Sequence, residues 1–318
     1  MNNHFDVIVI GAGAAGLTAG IYLSRAKVNT LILNEGTVGG QMVLTHQIAN
    51  YPGIENISGY ELASNMKAQA QKFGCTIKSN VKITSFDLKG ETKKIIVNNK
   101  DEYTSHAVII ATGGRPRSAG ASGEEEFKGK GISYCATCDG DFFQDKEIVV
   151  LGGGNSALEE AVSLTKYASK VTIVHQFDNF QAFEHYVSEA KKNPKISFIM
   201  ESKIIEFSGD EKLRKIKIQN QKDFNISEMN IDGVFIFIGY VPNSEMFQEI
   251  IDLNENKEII VDKNMHTNLP GVFAAGDNVA KRYRQVTTAV ADGTIAALSA
   301  AEFVNNIIKN VHIEDTIE

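Results

Sequence analysis

The sequence predicts an α/β protein with parallel sheets, because one succession of elements occurs twice. Residues 6–33 contain a short β-branched run, a glycine-rich turn, a segment with helical spacing of apolar residues, and a second apolar run. Residues 147–174 repeat that succession around a second glycine-rich turn. Strand, turn, helix and strand in this order form the unit of a doubly wound sheet. We therefore predict two Rossmann-like nucleotide-binding domains, each a doubly wound, three-layer α/β fold.

The first glycine-rich turn has the spacing Gly-x-Gly-x-x-Gly at residues 11–16, between a strand and a helix. Gly11 permits the tight turn, Gly13 lets the backbone approach a pyrophosphate, and Gly16 allows the helix to pack closely on the strand. The N–H groups at the helix N-terminus then face the phosphates. These glycines and Ala14 are the first candidate cofactor contacts.

Residues that follow the second strand supply further candidate contacts to the nucleotide. An acidic residue at this position commonly binds ribose hydroxyl groups. Glu35 is the predicted ribose contact, and Asn34 is an alternative that would use its amide. The loop 36–41 contains paired glycines, which allow its backbone to lie against a flat ligand, so Gly40 and Gln41 are also candidates.

A pair of cysteines lies between the two nucleotide-binding units, in the sequence Cys-Ala-Thr-Cys-Asp at 135–139. Cysteines separated by two residues can form a disulfide, and one of them can titrate as a thiolate below the usual pKa of a thiol. Structural zinc is the alternative, but it usually needs four ligands, and the remaining cysteine is Cys75. We therefore interpret Cys135 and Cys138 as a redox dithiol and predict no metal. Asp139 is a candidate acid–base group for a thiol, and its alternative role is that of a helix N-cap or turn aspartate.

Two later strands end in small residues that bring the backbone close to a bound cofactor. The run 107–114 contains Ala-Thr-Gly near its end, which makes Thr112 and Gly113 candidate contacts. The strand in 271–277 ends in Gly-Asp and places the Asp277 carboxylate where it can meet a ribityl hydroxyl group. Helix capping is the alternative role of Asp277.

The C-terminal segment supplies the last candidate contacts. Arg284, Gln285 and Val286 precede a helix of small residues that we predict over 287–306. The N-terminus of such a helix can stabilise the negative charge of a reduced flavin.

Three other features are assigned structural roles. Apolar spacing predicts an amphipathic helix over 59–73. Alternating segments between residues 81 and 103 predict a small meander of strands. Cys75 begins an alternating strand, and we interpret it as a packed small residue rather than a reactive thiol.

The composition excludes several classes of function. The chain has 318 residues and a formal net charge of −7, which argues against nucleic acid as the main partner. No apolar stretch approaches the roughly 18 residues that span a bilayer, so we expect no membrane partner. Two of the three cysteines share one motif, which is typical of a reducing compartment. Since we expect no leader peptide, we predict a cytoplasmic protein.

The chain resembles the low-molecular-weight thioredoxin reductase family over essentially its whole length. The matching motifs are Gly-Ala-Gly-Ala-Ala-Gly (11–16), Gly-Gly-Gln (39–41), Asn-Tyr-Pro-Gly (50–53), Ala-Thr-Gly (111–113), Tyr-Cys-Ala-Thr-Cys-Asp-Gly (134–140), Gly-Gly-Gly-Asn-Ser-Ala (152–157), Ala-Ala-Gly-Asp (274–277) and Tyr-Arg-Gln (283–285). So many motifs in one order do not arise by accident, and the match is highly specific.

The resemblance implies a particular domain arrangement. FAD is expected in a first domain formed by 1–116 and 244–318. A second domain over 117–243, with an NAD(P)-like fold and the cysteine pair, is expected as an insertion into the first. The resemblance also adds Asn50 to the candidate cofactor contacts and implies a homodimer.

The resemblance also implies a role for each group at the cysteine pair. Cys138 is expected to face the flavin and Cys135 to attack the disulfide of oxidised thioredoxin, with Asp139 as the acid–base group. A reductase serving a peroxiredoxin-like partner is a second hypothesis, but that branch usually carries an extra N-terminal region, for which we expect no room before Asp6. A ferredoxin–NADP reductase would lack the cysteine pair. A non-catalytic flavin-binding protein is the third hypothesis.

One departure from the family concerns the electron donor. Members that use NADPH carry a His-Arg-Arg-x-x-x-Arg pattern after the last strand of the second unit, where guanidinium groups suit a 2′-phosphate. Residues 175–181 read His-Gln-Phe-Asp-Asn-Phe-Gln and contain no arginine. Three lost charged hydrogen bonds, at about 1.5–3 kcal/mol each, predict poor binding of NADPH. Phe177 and Phe180 either fill the phosphate pocket or pack in an ordinary way.

Three other donors remain. The intact second glycine turn (152–157) would accept NADH, but no acidic residue stands at the strand end where NAD-specific sites usually have one. A reduced deazaflavin is another donor. The chain resembles the branch of ferredoxin-dependent flavin thioredoxin reductases that lacks the arginine motif. We favour reduced ferredoxin, because the site has lost the arginines that select NADPH without gaining another specificity feature. Lys281, Arg282 and Arg284 are basic residues that could receive an acidic iron–sulfur protein.

Overall fold

The chain divides into two compact units, and the computed structural model describes its residues 3–45 and 48–314. Unit 1 combines Met1–Arg115 with Val241–Glu318, and unit 2 is Pro116–Tyr240. Unit 2 is therefore inserted in the sequence of unit 1. The predicted boundaries lay at 116/117 and 243/244. In the structure, the chain passes from one unit to the other slightly earlier at both places, at 115/116 and 240/241.

The first part of unit 1 alternates strands and helices before it turns into a meander. Its elements are β1 (His4–Ile10), α1 (Ala14–Arg25), β2 (Thr30–Asn34), a 3-10 turn (Gly40–Leu44), α2 (Gly59–Lys72), β3 (Thr76–Ser79), β4 (Ile83–Asp87), β5 (Lys93–Val97), β6 (Asp101–Ile110) and β7 (Gly114–Pro116).

Unit 2 follows, and the chain then returns to unit 1. The elements of unit 2 are α3 (Glu124–Phe127), β8 (Ile132–Ser133), α4 (Ala136–Asp139), a 3-10 turn (Gly140–Phe143), β9 (Glu147–Leu151), α5 (Asn155–Leu164), β10 (Lys170–Val174), α6 (Glu184–Lys192), β11 (Ile196–Ile199), β12 (Ser202–Gly209), β13 (Leu213–Asn220), β14 (Ile226–Asn230) and β15 (Gly233–Ile236). The return consists of β16 (Tyr240–Pro242), a 3-10 turn (Glu245–Phe247), β17 (Val272–Ala274) and α7 (Val286–Glu314).

The sheet of unit 1 has the order β3-β2-β1-β6-β5-β4, and β17 also pairs with β6. The pairings among β3, β2, β1, β6 and β17 are parallel, whereas β4, β5 and β6 form the predicted antiparallel meander. Strand β1 is apolar on both faces: Val7 and Val9 contribute to one buried cluster, and Ile8 and Ile10 to another. Buried faces on both sides explain why its sequence is a continuous apolar run.

Helices cover one face of this sheet. Residues of α1, α2 and α7 share a buried cluster with Val7 and Val9. The opposite face packs against the meander and against Phe247 and Ile251, which follow the return crossing. Unit 1 is therefore a three-layer structure, as predicted.

Unit 2 has the same layered plan. Its five strands β11-β10-β9-β15-β8 are all parallel, and the strands β12-β13-β14 form a separate antiparallel sheet. Residues of α5 and α6 pack with Ile148 and Val150 on one face. Residues of β12 and β13 pack with Val149 and Leu151 on the other. The two Rossmann-like folds predicted from the repeated succession of elements are confirmed.

Parallel pairing brings the ends of three strands in unit 1 to one edge. The N–H of Ala111 donates to the carbonyl of Ile10 (2.8 Å), and the N–H of Ala275 donates to the carbonyl of Ile110 (2.9 Å). The first glycine turn, the Ala-Thr-Gly segment and the Gly-Asp segment therefore lie together. The carboxyl edge of a parallel sheet is where such folds bind ligands.

The features with structural roles also match their predictions. Cys75 is buried, and burial raises the pKa of its thiol to about 11, so it is a packed residue and a poor thiolate. The predicted C-terminal helix is α7, which starts one residue earlier and extends beyond residue 306. Across residues 3–45 and 48–314, no helix is both long and apolar enough to cross a membrane.

Candidate functional site

The first glycine turn leaves open space where a pyrophosphate is expected. A Cβ at Gly11 would lie 2.3 Å from the carbonyl oxygen of Ala111, and φ is +105° there, so glycine is required. A Cβ at Gly16 would lie 1.9 Å from the carbonyl oxygen of Gly11. At Gly13, in contrast, no heavy atom of the described chain comes within 4 Å of such a Cβ. The turn therefore packs tightly against the protein at Gly11 and Gly16 and leaves space at Gly13, which fits a bound diphosphate.

Asn34 braces this turn. Its Oδ1 accepts a hydrogen bond from the N–H of Ala12 (3.0 Å), and its Nδ2 donates to the carbonyl of Gly36 (2.8 Å). The neighbouring loop packs closely, since a Cβ at Gly40 would lie 3.2 Å from the Cα of Gly13. Asn34 thus has a backbone-bracing role that the sequence did not predict.

Glu35 and Gln41 are both exposed at this edge. One carboxylate oxygen of Glu35, Oε1, accepts a hydrogen bond from the N–H of Ile83 (3.0 Å). The bond orients the carboxylate and engages only one of its oxygens. The ribose contact of Glu35 stays a prediction.

The Ala-Thr-Gly segment is held by two asparagines that sequence reasoning missed. The Nδ2 of Asn278, which is fully buried, donates to the carbonyl of Ile110 (3.1 Å) and to Oγ1 of Thr112 (3.3 Å). Asn243 donates from its N–H to the carbonyl of Gly113 (2.9 Å) and accepts from the hydroxyl of Thr112 (2.7 Å). The available signal was position: Asn278 directly follows Gly-Asp, and Asn243 lies at the return crossing.

One buried oxygen of Asp277 faces Lys281 and accepts no hydrogen bond within the usual geometry from the described residues. This oxygen is Oδ1, and the closest cation, Nζ of Lys281, is 3.5 Å away. Burial raises the pKa of Asp277, and Lys281 opposes that rise. A ligand hydroxyl group would satisfy this oxygen, which fits the predicted ribityl contact. Lys281 itself donates to Oδ2 of Asp292 (2.7 Å).

The last predicted contacts come together at the start of α7. Nδ2 of Asn50 donates to Oε1 of Gln285 (3.3 Å), although the two residues are far apart in sequence. Arg284 donates to the carboxylate of Glu258, a buried residue that sequence reasoning missed. Val286 is the first residue of the helix. The structure thus gives Arg284 a structural partner, and its cofactor contact stays a prediction.

In unit 2, Cys135 and Cys138 are joined by a disulfide. Cys135 precedes the short helix α4, and the N–H of Cys138 points to the Sγ of Cys135 (3.2 Å). Both cysteines are half-buried. The paired sulfur atoms match the predicted redox dithiol.

Asp139 is held beside the disulfide by Ser133, which sequence reasoning missed. The hydroxyl of Ser133 donates to Oδ2 of Asp139 (2.6 Å), and the Oγ of Ser133 accepts from the N–H of Cys135 (3.1 Å). The Asp139 side chain makes no capping bond to the 3-10 turn that it precedes. The helix N-cap alternative for Asp139 is therefore wrong, and its acid–base role stays a prediction.

A buried carboxylate fixes the residue before the cysteine pair. Glu124 accepts hydrogen bonds from the hydroxyl of Tyr134 (2.7 Å), the hydroxyl of Ser118 (2.7 Å) and two N–H groups, those of Ala119 (3.1 Å) and Gly120 (3.0 Å). Burial raises the pKa of Glu124, but these bonds outweigh burial and hold that pKa below its usual value. Tyr134 has its pKa raised by burial and by Glu124.

The second glycine turn is more enclosed than the first. The N–H of Gln181 donates to the carbonyl of Gly153 (2.9 Å), and the N–H of Phe183 donates to Oδ1 of Asn155 (2.8 Å). A Cβ at Gly153 would lie 2.4 Å from the ring of His175. The segment after β10 therefore runs back over the turn.

Both phenylalanines of this segment contact the ring of His175, Phe177 edge-on (ring centroids 5.4 Å apart) and Phe180 stacked. Phe180 stacks on His175, with ring centroids 5.6 Å apart, so ordinary packing is correct for this residue. Phe177 is 48% exposed and leaves its surface accessible beside the turn. A nearby cation, Lys222, pairs with Glu201 (2.7 Å). No arginine is available from residues 175–181 for a 2′-phosphate.

Similarity to known proteins covers nearly the whole chain. The sequence profile of the family described as pyridine nucleotide-disulphide oxidoreductase matches residues 5–293. A thioredoxin reductase from Peptoclostridium acidaminophilum is 46% identical over 311 residues, covering 96% of this chain and 98% of that protein. The chain belongs to this family. Within it, the chain is a member of the low-molecular-weight thioredoxin reductases.

Two further relatives match nearly the whole chain. A protein of 34.2 kDa in a rubredoxin operon of Clostridium pasteurianum is 45% identical over 299 residues, covering 94% of this chain and 97% of that protein. A solved thioredoxin reductase from Streptococcus pyogenes has 38% identity and a TM-score of 0.92, covering 96% of this chain and all of that one. This family depends on FAD, so the predicted cofactor is confirmed. The described residues contain no group of three or more metal-ligating side chains arranged to hold a metal ion.

Replacing Glu124 with Gln should destabilise unit 2 in a pH-dependent way. We expect a loss of about 2 kcal/mol in the free energy of unfolding at neutral pH, because the amide cannot accept from every donor that the carboxylate serves. Because the pKa of Glu124 is lowered in the folded protein, the wild type has its full extra free energy of unfolding over Glu124→Gln above the usual pKa near 4.5. That difference disappears as pH falls through the lowered pKa.

Denaturant melts of both proteins from pH 7 to pH 3 would measure this difference. Glu125→Gln is the matched control, because Glu125 lies in the same helix and is exposed. An unfolding difference between wild type and Glu124→Gln that stays constant with pH would contradict the assigned role.

Proposed function

We propose that this protein reduces the disulfide of thioredoxin, with electrons passing from FAD in unit 1 through Cys135 and Cys138 in unit 2. The observation that supports this most directly is the Cys135–Cys138 disulfide beside the oriented carboxylate of Asp139. Relatives of similar length that carry the name thioredoxin reductase support the choice of thioredoxin as the substrate.

The residues of unit 1 fit FAD, which supplies two-electron redox chemistry when bound. The open side of the Gly11–Gly16 turn would receive the diphosphate, together with Ala14 at the helix start. Glu35, Gly40 and Gln41 would contact the nucleotide. The undonated oxygen of Asp277 would accept from a ribityl hydroxyl group. Asn50, Thr112, Gly113 and the residues Arg284–Val286 are proposed contacts on the remaining sides.

The cysteine pair would work by thiol–disulfide exchange. Two electrons break the bond between Cys135 and Cys138, and the two sulfurs take up two protons. The Cys135 thiolate then attacks one sulfur of the thioredoxin disulfide, and the other thioredoxin sulfur leaves as a thiolate that takes one proton. Cys138 attacks the Sγ of Cys135, which restores the disulfide and releases the second thioredoxin sulfur. Asp139 would accept and return the protons.

Reduced ferredoxin is the donor that we propose. The segment 175–181 offers no guanidinium group, and its backbone is tied over the second glycine turn, so a phosphorylated dinucleotide lacks its charged partners. NADH- or NADPH-dependent thioredoxin reduction is the alternative. The second glycine turn favours this alternative. Gly152 has a φ of +143° there and lies close to a neighbouring strand, as in a nucleotide-binding fold.

A homodimer is also proposed. Ile295 and Leu298 lie three residues apart on α7 and are 36% and 55% exposed. Residues at this spacing share one helix face, and exposed apolar side chains on one face suit a contact with a second copy. The cytoplasmic location stays a prediction.

Trapping experiments with single serine variants should separate the roles of the two cysteines. In Cys138→Ser, we expect Cys135 to form a stable mixed disulfide with thioredoxin, because the sulfur that would release it is missing. In Cys135→Ser, we expect little or no mixed disulfide. Mass spectrometry of the intact adduct measures both. Efficient trapping through Cys138 alone would reverse the assigned roles, and Cys75→Ser is the matched control.

Anaerobic flavin bleaching should identify the donor. We expect rapid loss of the oxidised flavin spectrum with reduced ferredoxin and slow loss with NADPH or NADH. A triple variant, Gln176→Arg, Phe177→Arg and Gln181→Arg, should gain NADPH-dependent bleaching, because each guanidinium adds about 1.5–3 kcal/mol of charged hydrogen bonding.

The corresponding triple lysine variant is the matched control, since it adds the same charge without the planar fork. Rapid bleaching of the unmodified protein by NADPH would exclude the ferredoxin proposal and leave a thioredoxin reductase with an unusual phosphate pocket.

A further inference from the structure

We propose that Ser133 is a positioning residue that keeps the Asp139 carboxylate oriented and ionised for proton transfer during thiol–disulfide exchange. The inference rests on the proposed function and assigns a role to a side chain outside the cysteine motif. It concerns unit 2 alone and does not depend on the identity of the electron donor.

The backbone of Ser133 is fixed before its side chain acts. Ser133 is the last residue of β8, is 5% exposed, and pairs with Phe235 of β15 in the parallel sheet. Phe235 lies in the buried core of unit 2. The hydroxyl group is therefore presented from a rigid strand end, two residues before the nucleophilic cysteine.

Hydrogen-bond geometry decides where the hydroxyl proton goes. A serine hydroxyl carries one proton and two acceptor sites. The Oγ of Ser133 lies 2.6 Å from Oδ2 of Asp139, 3.3 Å from the carbonyl oxygen of Cys135 and 3.1 Å from the N–H of Cys135. The N–H occupies one acceptor site, and the short distance to a carboxylate is typical of a charge-assisted bond, so the proton is donated to Asp139. Ser133 thus connects the backbone of Cys135 to the carboxylate of Asp139.

The surrounding charges give this bond a chemical consequence. The ionisable groups on the elements around α4 are Glu159 and Glu160 of α5, Asp141 of the following turn, Asp145 and Lys146 directly after that turn, Tyr167 against Gly140, and Glu124 with Tyr134 on the side of β8. Most of these groups are acidic. Negative neighbours favour the neutral form of a carboxyl group, whereas a hydrogen bond donated to the carboxylate favours the ionised form.

An ionised Asp139 is the form that the exchange requires. As a cysteine sulfur attacks, its thiol proton moves to Asp139 while the disulfide bond of the partner breaks. The same proton then moves from Asp139 to the departing partner sulfur. Ser133 keeps its own proton throughout. It acts on the ionisation state and the orientation of the Asp139 carboxylate.

The test is the pH dependence of a single exchange reaction. Wild-type holoenzyme is photoreduced under anaerobic conditions and mixed with oxidised thioredoxin, and the rate of thioredoxin reduction is followed from pH 5 to pH 9. In Ser133→Ala, we expect the acidic limb of the profile to move to higher pH by about one unit, the size expected for the loss of one charged hydrogen bond. Ser133→Thr keeps the hydroxyl and should restore the wild-type limb.

Three controls make the outcomes distinct. Ser169→Ala removes an exposed serine of the same unit and should leave the profile unchanged. Asp139→Asn should abolish the acidic limb of the pH–rate profile. Adding Ser133→Ala to Asp139→Asn should then cause no further change in the profile. Far-UV circular dichroism and urea melts of each variant report whether unit 2 remains folded.

Specific results would overturn the inference. If Ser133→Ala lowers the rate equally at every pH and leaves the limb in place, Ser133 has only a structural role. If Asp139→Asn keeps the limb, Asp139 is not the acid–base group and the inference fails while thioredoxin reduction stands. If photoreduced wild type does not reduce thioredoxin at any pH, the proposed function fails as well.

Discussion

The parallel pairing of β1, β6 and β17 is the constraint on which the cofactor site depends. Because the three strands run in one direction and in register, their carboxyl ends meet at one sheet edge. The close approach of Gly11 to the Ala111 carbonyl closes that edge toward the protein. Gly13 leaves open space for a Cβ, and the buried Oδ1 of Asp277 has no hydrogen bond from the described residues, so both fit contacts to FAD.

The chemistry of unit 2 depends on two acidic side chains in different hydrogen-bonding environments. Glu124 is buried and accepts from two hydroxyl and two N–H groups, so it fixes Tyr134 and the approach to the cysteine pair. Asp139 is half-buried beside the disulfide and receives a short bond from Ser133. The carboxylate of Glu124 holds neighbouring backbone and side chains in place, whereas that of Asp139 is oriented by Ser133, as its proposed role in proton transfer needs.

Much of this could be predicted from the sequence, because periodicity and glycine spacing report backbone geometry. The two folds, the meander, the packed Cys75 and the cysteine pair follow from such local patterns. Glu124, Ser133, Asn243 and Asn278 could not be found in this way, since their roles arise from contacts that only the folded chain creates. Asn34 shows the limit most clearly: its position made it the alternative to Glu35 as a ribose contact, whereas its amide atoms bond to the backbone of Ala12 and Gly36.

The central claim is that FAD and the Cys135–Cys138 disulfide form one electron path, and an anaerobic reductive titration tests it most directly. Dithionite is added stepwise while the flavin spectrum and the free thiols are measured. The account predicts that each chain takes up two electron pairs, one for the flavin and one for the disulfide, and that Cys138→Ser takes up one pair. Full flavin reduction in the wild type after a single pair, with no new thiols, would contradict the account.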